Sequence, residues 1–418
     1  MKSSVFRWTI CLLVVLGTWL SSCQTSGDGK GNRVNYRSNL LDSLLHGAVI
    51  NNEIPGAVAC IVKEGQVVYH KAFGWKNMEK RLEMDTNDIF RMASMTKGMT
   101  AVAVLQLYER GLIQLDEPVK KYLPEFDDPK ILLHVNEDST FTAAPANKDI
   151  TIRMLLTHTS GIGYGFQNEE YNALVLKNNV SEGFGNDDRT LAENVRRIAA
   201  LPLLHEPGKK YTYGMSYDVL GHLIEVVSGI RYDKYIQHYI LSPLQMTDSY
   251  FLIPEEEVGR LVKVYQPGAN DVGIRKSNYE LVNYPLIKER RAFSGGADLC
   301  STASDYARFV EMVLNKGDYK GTRILGERYV EMMLSKQTSL KEGGYEQGFA
   351  AWVTNDKGAA EGPMDVGSFG FGGFFDTYSW ADPQKDYVAV LLLQMYPENR
   401  HDIHSKFQRI VYGVIDEF

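Results

Sequence analysis

Ser94 and Lys97 stand three positions apart in the run Ser94-Met95-Thr96-Lys97. A serine hydroxyl is a weak nucleophile until a neighbouring group takes its proton. On a helix, a residue three positions on lies roughly 300° round at about 100° per residue, so a lysine there shares one face with the serine. A lysine held out of water is pushed toward its neutral amine, which can act as a base. A serine at a helix N-terminus also has backbone amides near any oxyanion that forms. The chemistry open to this pattern is acyl transfer through a covalent intermediate on Ser94, activated by Lys97. Taken alone, the four residues fit an exposed serine and lysine equally well. Their position adds to them, because they open a helical segment that follows a pair of strands.

The elements that must hold this pair can be read from periodicity. Leu40 to Val49 has apolar residues at helical spacing. Two strand-like runs follow, Gly56 to Val62 and Val67 to Phe73, joined by the turn residues Lys63-Glu64-Gly65-Gln66. A strongly helical segment runs from about Ser94 to Arg110 and stops at Gly111. From Leu112 to about Tyr284, short helical patterns (Ile152–Leu156, Leu191–Leu201, Val219–Val227) alternate with loops, including the exposed signal Phe184-Gly185-Asn186-Asp187-Asp188. A helix over Ser304–Asn315, strands at Gln347–Val353, Thr377–Trp380 and Tyr387–Gln394, and a helix from about Ile403 to Ile415 complete the chain. Strands at both ends around a helical middle predict a discontinuous α/β domain enclosing a helical insertion.

The first residues carry a different message. Lys2 and Arg7 precede the apolar run Trp8 to Leu20, which has the length of a secretory signal and falls short of the roughly 20 apolar residues of a membrane span. It ends in Leu20-Ser21-Ser22-Cys23, which resembles a bacterial lipobox; an ordinary signal peptide with an incidental cysteine is the other reading. The resemblance implies removal of residues 1–22, a lipid on Cys23, a tether over 23–35, and an exported, membrane-anchored protein of the periplasm or outer membrane. The net charge of −7 and the lack of a basic run exclude nucleic acid as a partner. Of four cysteines, Cys60 and Cys300 alone remain for the fold. Cys60 lies in an apolar run and reads as a buried free thiol, so no disulfide framework is expected.

The surroundings of Ser94 carry a family resemblance. Phe90-Arg91-Met92-Ala93-Ser94-Met95-Thr96-Lys97 is followed by Leu115-Asp116-Glu117-Pro118-Val119 and Tyr122-Leu123-Pro124-Glu125-Phe126. Further on come Leu155-Leu156-Thr157-His158-Thr159-Ser160-Gly161 and Gly295-Gly296-Ala297-Asp298-Leu299. In this order the motifs resemble those of class C β-lactamases, DD-peptidases and related esterases, from about residue 40 to the C-terminus. The resemblance implies a β-lactamase/transpeptidase-like α/β (α+β) fold: a mainly antiparallel sheet flanked by helices, over 36–112 and about 291–418, with an all-helical insertion over about 113–290. It implies no cofactor.

The second family motif places Tyr213 beside the nucleophile, in Tyr211-Thr212-Tyr213-Gly214-Met215-Ser216-Tyr217-Asp218. Tyr213 could deprotonate Ser94 and later protonate the leaving group; a packing tyrosine is the alternative. Met215 stands where the family has an amide-reading asparagine, and a thioether cannot donate. Tyr213 with Asp218 also matches the Tyr-Ser-x-x-x-Asp spacing of esterase-like members, with Gly214 in place of the serine. The third motif maps onto Phe371-Gly372-Gly373-Phe374. There Phe371 replaces the cation that would hold a substrate carboxylate, the glycines permit close approach, and by analogy the Phe374 amide completes an oxyanion hole with that of Ser94. With Met215 and Phe371 read as cleft residues, the cleft suits an ester of a neutral acyl group. A peptidoglycan D-amino-acid peptide or a β-lactam is the alternative substrate, and a binding protein that has lost turnover is the second alternative.

Other candidates are weaker. His158 belongs to a structural signature in family members, which implies hydrogen bonding in place of catalysis. His401 and His404 have helical spacing without a third ligand nearby, which favours a solvated face over a metal site. Asp116, Glu117 and Asp298 read as capping or turn residues.

Overall fold

The computed structural model describes residues 29–185, 188–268, 273–341, 343–397 and 401–418, without the side chains of 29–38, 280 and 401. The expected signal segment and Cys23 lie outside the described residues. Within them, no helix is long and apolar enough to cross a membrane.

One eight-stranded sheet organises the chain. From one edge to the other it runs Tyr345–Gln347, Trp352–Thr354, Phe369–Gly373, Thr377–Asp382, Tyr387–Leu392, Gly56–Lys63, Gln66–Asn77 and Leu82–Glu83. All neighbours are antiparallel. The first strand therefore pairs with the last, in register from Val58↔Leu392 to Lys63↔Tyr387, which closes the domain around everything between. Both strands are apolar on both faces because both faces are covered. Val58, Cys60, Val388 and Val390 belong to the core on the side of the helices Thr96–Glu109 and Ala303–Leu314. Ala57, Ala59, Ile61, Ala389 and Leu391 belong to the core formed with the helices Gly29–Ile50 and His401–Val414. Cys60 and Cys300 are both buried free thiols, in separate cores.

Most expected elements form within a residue or two, and three differ. The N-terminal helix begins at Gly29, inside the stretch read as tether. The run Gln347–Val353 is two strands, because Gly348 turns the chain: its amide donates to the Ala351 carbonyl at 3.0 Å, and a Cβ there would lie 2.3 Å from the Met333 carbonyl oxygen. The insertion carries the helices Ile152–Leu156, Glu169–Lys177, Leu191–Ala199 and Ser216–Ser228, but also two short hairpins, Lys130–Val135 with Phe141–Pro145 and Tyr265–Pro267 with Ile274–Lys276.

Candidate active site

Ser94 does not begin an α-helix directly. It sits in a 3₁₀ turn, Ala93–Met95, which feeds the helix Thr96–Glu109. Ala93 has φ +46°, a left-handed conformation that an L-residue adopts only at a cost. The turn is tied down on every side. Phe90 and Arg91 pair with Ser301 and Cys300, the Met92 amide donates to the Leu299 carbonyl at 2.9 Å, and Tyr306 donates its hydroxyl to the Met95 carbonyl at 2.8 Å. The Thr96 hydroxyl closes the turn onto the Ala93 carbonyl at 2.6 Å.

The following helix is buried from Thr96 to Leu107, so Lys97 is carried into the protein interior and is 3% exposed. Its Nζ lies 3.2 Å from Ser94 Oγ, donates to the Gly296 carbonyl at 2.7 Å and lies 3.5 Å from the Tyr164 hydroxyl. The Tyr213 hydroxyl is 2.6 Å from Ser94 Oγ, and Lys97 Nζ stands 4.8 Å from the centre of the Tyr213 ring. Ser94, Lys97 and Tyr213 are thus brought together as the motifs implied. Two further residues complete the group, Tyr164, which no local pattern marks, and Asp218, whose spacing from Tyr213 was noted above. Tyr164 enters from the loop after the Thr157–Gly161 signature, and Asp218 from the first turn of the helix Ser216–Ser228. A Cβ on Gly296 would lie 3.2 to 3.4 Å from Asp218 Oδ2, Tyr164 Oη and Lys97 Nζ, which marks Gly296 as the point where they converge.

His158 is buried with φ +54° beneath this group. Its ring centre lies 4.6 Å from that of Tyr213, and its Nδ1 accepts the Gly214 amide at 3.3 Å. Burial, with Lys97 and Lys341 adding to it, holds the imidazole well below its ordinary value and so neutral, as an acceptor requires. His158 positions the Tyr213 segment and does not reach Ser94. Gly214 presses so closely on the Ile162 carbonyl that a Cβ would lie 2.1 Å away, which accounts for glycine in place of serine here.

Two residues read as cleft-lining are elsewhere. Met215 is fully buried in the main core as the residue before the helix Ser216–Ser228. Phe371 is 2% exposed and packs under the nucleophile helix, its ring 5.7 Å from Phe309 and reaching over Gly98. The reason is the period of two in a strand: Phe369 and Phe371 face the helices, while Gly370 and Gly372 face the other way. Burying a phenyl ring is worth roughly 2–3 kcal/mol, and the missing side chain at Gly98 provides the space. Gly372 and Gly373 do line the cleft, as do Ser94, Tyr213 and Phe374. Gly373 lies against the nucleophile turn, where a Cβ would be 2.3 Å from the Met92 carbonyl oxygen.

The cleft above Ser94 has a volume of about 970 Å³. Its wall includes the aromatic and aliphatic residues Phe166, Val175, Leu176, Phe184, Phe374 and Tyr396, and Phe166 stacks on Tyr164 at 4.8 Å. Phe374 packs on Tyr396 at 4.5 Å. Glu182, another residue without a sequence signal, stands in this wall, accepts the Gly165 amide and is held toward its neutral form by burial. Asp298 does more than shape a turn. It accepts the Phe184 and Ser294 amides, each at 2.8 Å, and pairs with the buried Arg290, fixing the loop that carries Gly296. Asp116 makes a two-pronged surface pair with Arg153, and Glu117 pairs with Lys121. His404 faces Asp376 at 2.9 Å, and among the described residues no group of three or more His, Cys, Asp or Glu could hold a metal.

The Asp218 carboxyl is raised to about 7, because burial opposes its charge more than Ser294 and Lys97 favour it. The folded chain thus keeps this proton at pH values where the unfolded chain has released it. The stability it contributes is complete below about pH 4, falls as pH rises to about 7, and is gone above that. Asp218→Asn removes this titration. The melting temperature of the wild type should therefore fall relative to the variant between pH 4 and 7 and run parallel to it above about pH 8. Parallel curves across pH 4–7 would contradict this assignment.

Comparison with known proteins agrees with the geometry. The Beta-lactamase family model matches residues 41–411. The chain is 30% identical to Esterase EstB of Burkholderia gladioli over 84% of its own length and 89% of that protein. It is 29% identical to Lovastatin esterase of Penicillium rubens over 66% and 68%. Among solved structures, the hydrolase EstCE1 superposes with a TM-score of 0.78 at 24% identity, over 91% of this chain and 99% of that one. A penicillin-binding protein homologue from Pyrococcus abyssi does so with 0.66 at 23%, over 91% and 77%. These two establish the same fold. By its motifs, its fold and the match along nearly its whole length, the chain is a serine hydrolase and belongs to the Beta-lactamase family.

Proposed function

We propose that this hydrolase cleaves esters of neutral, apolar acyl groups through an acyl-enzyme on Ser94. The observation that carries the reading is the aromatic and aliphatic lining of the cleft that holds Ser94, combined with Phe371 lying buried at the position where family resemblance would put a cation for a substrate carboxylate. The Arg189 guanidinium, which also reaches the cleft wall, donates to the Asn179 side chain at 3.0 Å. The likeness to two esterases, EstB and Lovastatin esterase, supports an ester as the substrate class.

The steps follow from the distances. Ser94 Oγ attacks the ester carbonyl carbon as its proton passes to the Tyr213 oxygen 2.6 Å away, whose own proton moves to the Lys97 amine. Lys97 Nζ, fixed by Gly296 and Tyr164, carries that proton beside both oxygens until the sequence ends and then returns it. The Ser94 and Phe374 amides receive the oxyanion. When the tetrahedral intermediate collapses, the carbon–oxygen bond to the alcohol breaks and Tyr213 returns the proton to the departing oxygen. Water then repeats the sequence in reverse order, releasing the acid and restoring Ser94.

One feature favours a peptide instead. The strand Phe369–Gly373 pairs with its outer neighbour only at Phe369 and Gly370, leaving the edge at 371–373 open beside the nucleophile, where an extended chain could add. A rate panel decides. We expect p-nitrophenyl esters of short apolar acids to exceed a chromogenic cephalosporin and a D-Ala-D-Ala peptide in kcat/KM by at least 100-fold. A peptide that wins the panel overturns the ester reading. Failure of a fluorophosphonate to label Ser94 in the folded protein overturns both and leaves a binding protein.

A further inference from the structure

The cleft extends well past the nucleophile. The strand Phe369–Gly373 turns Gly370 and Gly372 toward the side of the sheet away from the nucleophile helix, and two aromatic residues occupy the space those glycines leave. Trp352, paired with Gly370, lies so flat over it that a Cβ at 370 would be 2.1 Å from the indole. Tyr378, paired with Gly372, would stand 3.6 Å from a Cβ at 372. The two rings are stacked, with centres 5.6 Å apart and planes inclined by 11°, and Tyr345 abuts the indole edge-on at 5.1 Å. Gly372 is exposed at the sheet edge and is followed by Gly373, which lies against the Ser94 turn. Tyr345, Trp352, Gly372, Gly373 and Tyr378 line the same cleft as Ser94.

The platform ends on a polar wall of an unusual kind. His404, its ring 5.5 Å from that of Tyr378, bonds through Nε2 to Asp376 Oδ1 at 2.9 Å. Both residues are buried, Asp376 at 3% and His404 at 9% exposure. Asp376 Oδ2 and His404 Nδ1 have no hydrogen-bond partner among the described residues. In the tautomer that donates Nε2–H to Asp376, Nδ1 is an acceptor, so this wall offers two acceptors. Buried acceptors favour donors, and a group in the cleft that both residues line can supply them directly or through one water.

We infer that this lobe binds a hydroxylated saturated ring, so that the substrate is an acylated saccharide whose sugar lies on the Trp352–Tyr378 platform while its acyl group reaches Ser94. A pyranose offers a flat face of C–H groups to the aromatic rings and hydroxyl donors at its edge, which is the complement of this surface. A purely apolar ring would bring no donor to either acceptor. The inference rests on the ester reading above for turnover, but not for binding.

The test uses three butanoate esters: that of methyl α-D-glucopyranoside at its 6-hydroxyl, that of cyclohexanol and that of ethanol. For the wild type, kcat/KM on the glucoside ester should exceed that on the cyclohexyl ester by at least tenfold. In Trp352→Ala this ratio should fall about tenfold, and in Tyr345→Ala, at an exposed position on the platform's rim, a few-fold. Binding is read separately by titrating the glucoside ester into Ser94→Ala and into Ser94→Ala/Trp352→Ala. Binding that depends on Trp352 supports the lobe even where no ester is turned over, in which case only the ester reading fails. Equal rates on the glucoside and cyclohexyl esters overturn the inference. So does rapid turnover of ethyl butanoate with no glucoside ester bound to Ser94→Ala, and that outcome leaves the ester reading intact.

Discussion

Replacing Lys97 with alanine should lower the rate of Ser94 acylation on the order of 1,000-fold, within the range a positioned proton-transfer group supplies. The variant loses the amine 3.2 Å from Ser94 Oγ and the donor to the Gly296 carbonyl. Tyr213 stays within 2.6 Å of the serine, so slow acylation persists, but the charge that stabilises an anionic tyrosine oxygen is gone. The measurement is the pre-steady-state burst with a p-nitrophenyl ester, accompanied by thermal unfolding to confirm that the fold is kept. A burst of wild-type rate in a folded Lys97→Ala protein removes lysine from the mechanism and leaves Tyr213 as the activating group.

The second large effect is expected at Gly373. A methyl group there would stand 2.3 Å from the Met92 carbonyl oxygen and 2.2 Å from Thr377 Oγ1. The threonine side chain can rotate, but the carbonyl belongs to the backbone that carries Ala93 and Ser94, so strand and nucleophile turn must separate. The amides of Ser94 and Phe374 lie on the two sides of that separation. Loss of one oxyanion donor costs on the order of 100-fold or more in kcat, and Gly373→Ala should cost that much with KM changed little. A rise in KM with kcat unchanged would show that the glycine serves binding and that the oxyanion is held elsewhere.

How much of this was legible in the sequence depends on whether the information was local. Several sheet strands and the helix after Ser94 announce themselves in consecutive residues, although the 3₁₀ turn that carries Ser94 reads as the start of that helix. The order of the motifs anticipates that Ser94, Lys97 and Tyr213 lie together. Side-chain direction was not legible. Phe371 and Met215 occupy motif positions that suggest a cleft, yet the phase of the strand and the start of a helix turn both into the core. Tyr164, Glu182 and Gly296 were missed as site residues because each converges on the site from a different loop, with no spacing that ties it to Ser94. Asp218 was visible in a pattern, but its unpartnered oxygen beside the lysine is a tertiary fact. The aromatic platform is likewise invisible in one dimension: Trp352 and Tyr378 meet only because two intervening glycines face the same side of the sheet.

Ala93 carries a consequence for how such a site can change over time. Its left-handed backbone costs on the order of 1 kcal/mol relative to glycine, and the surrounding hydrogen bonds absorb that cost. Glycine would relax the position yet widen the range of conformations open to the serine that follows. Durability and speed therefore make opposite demands on this one position.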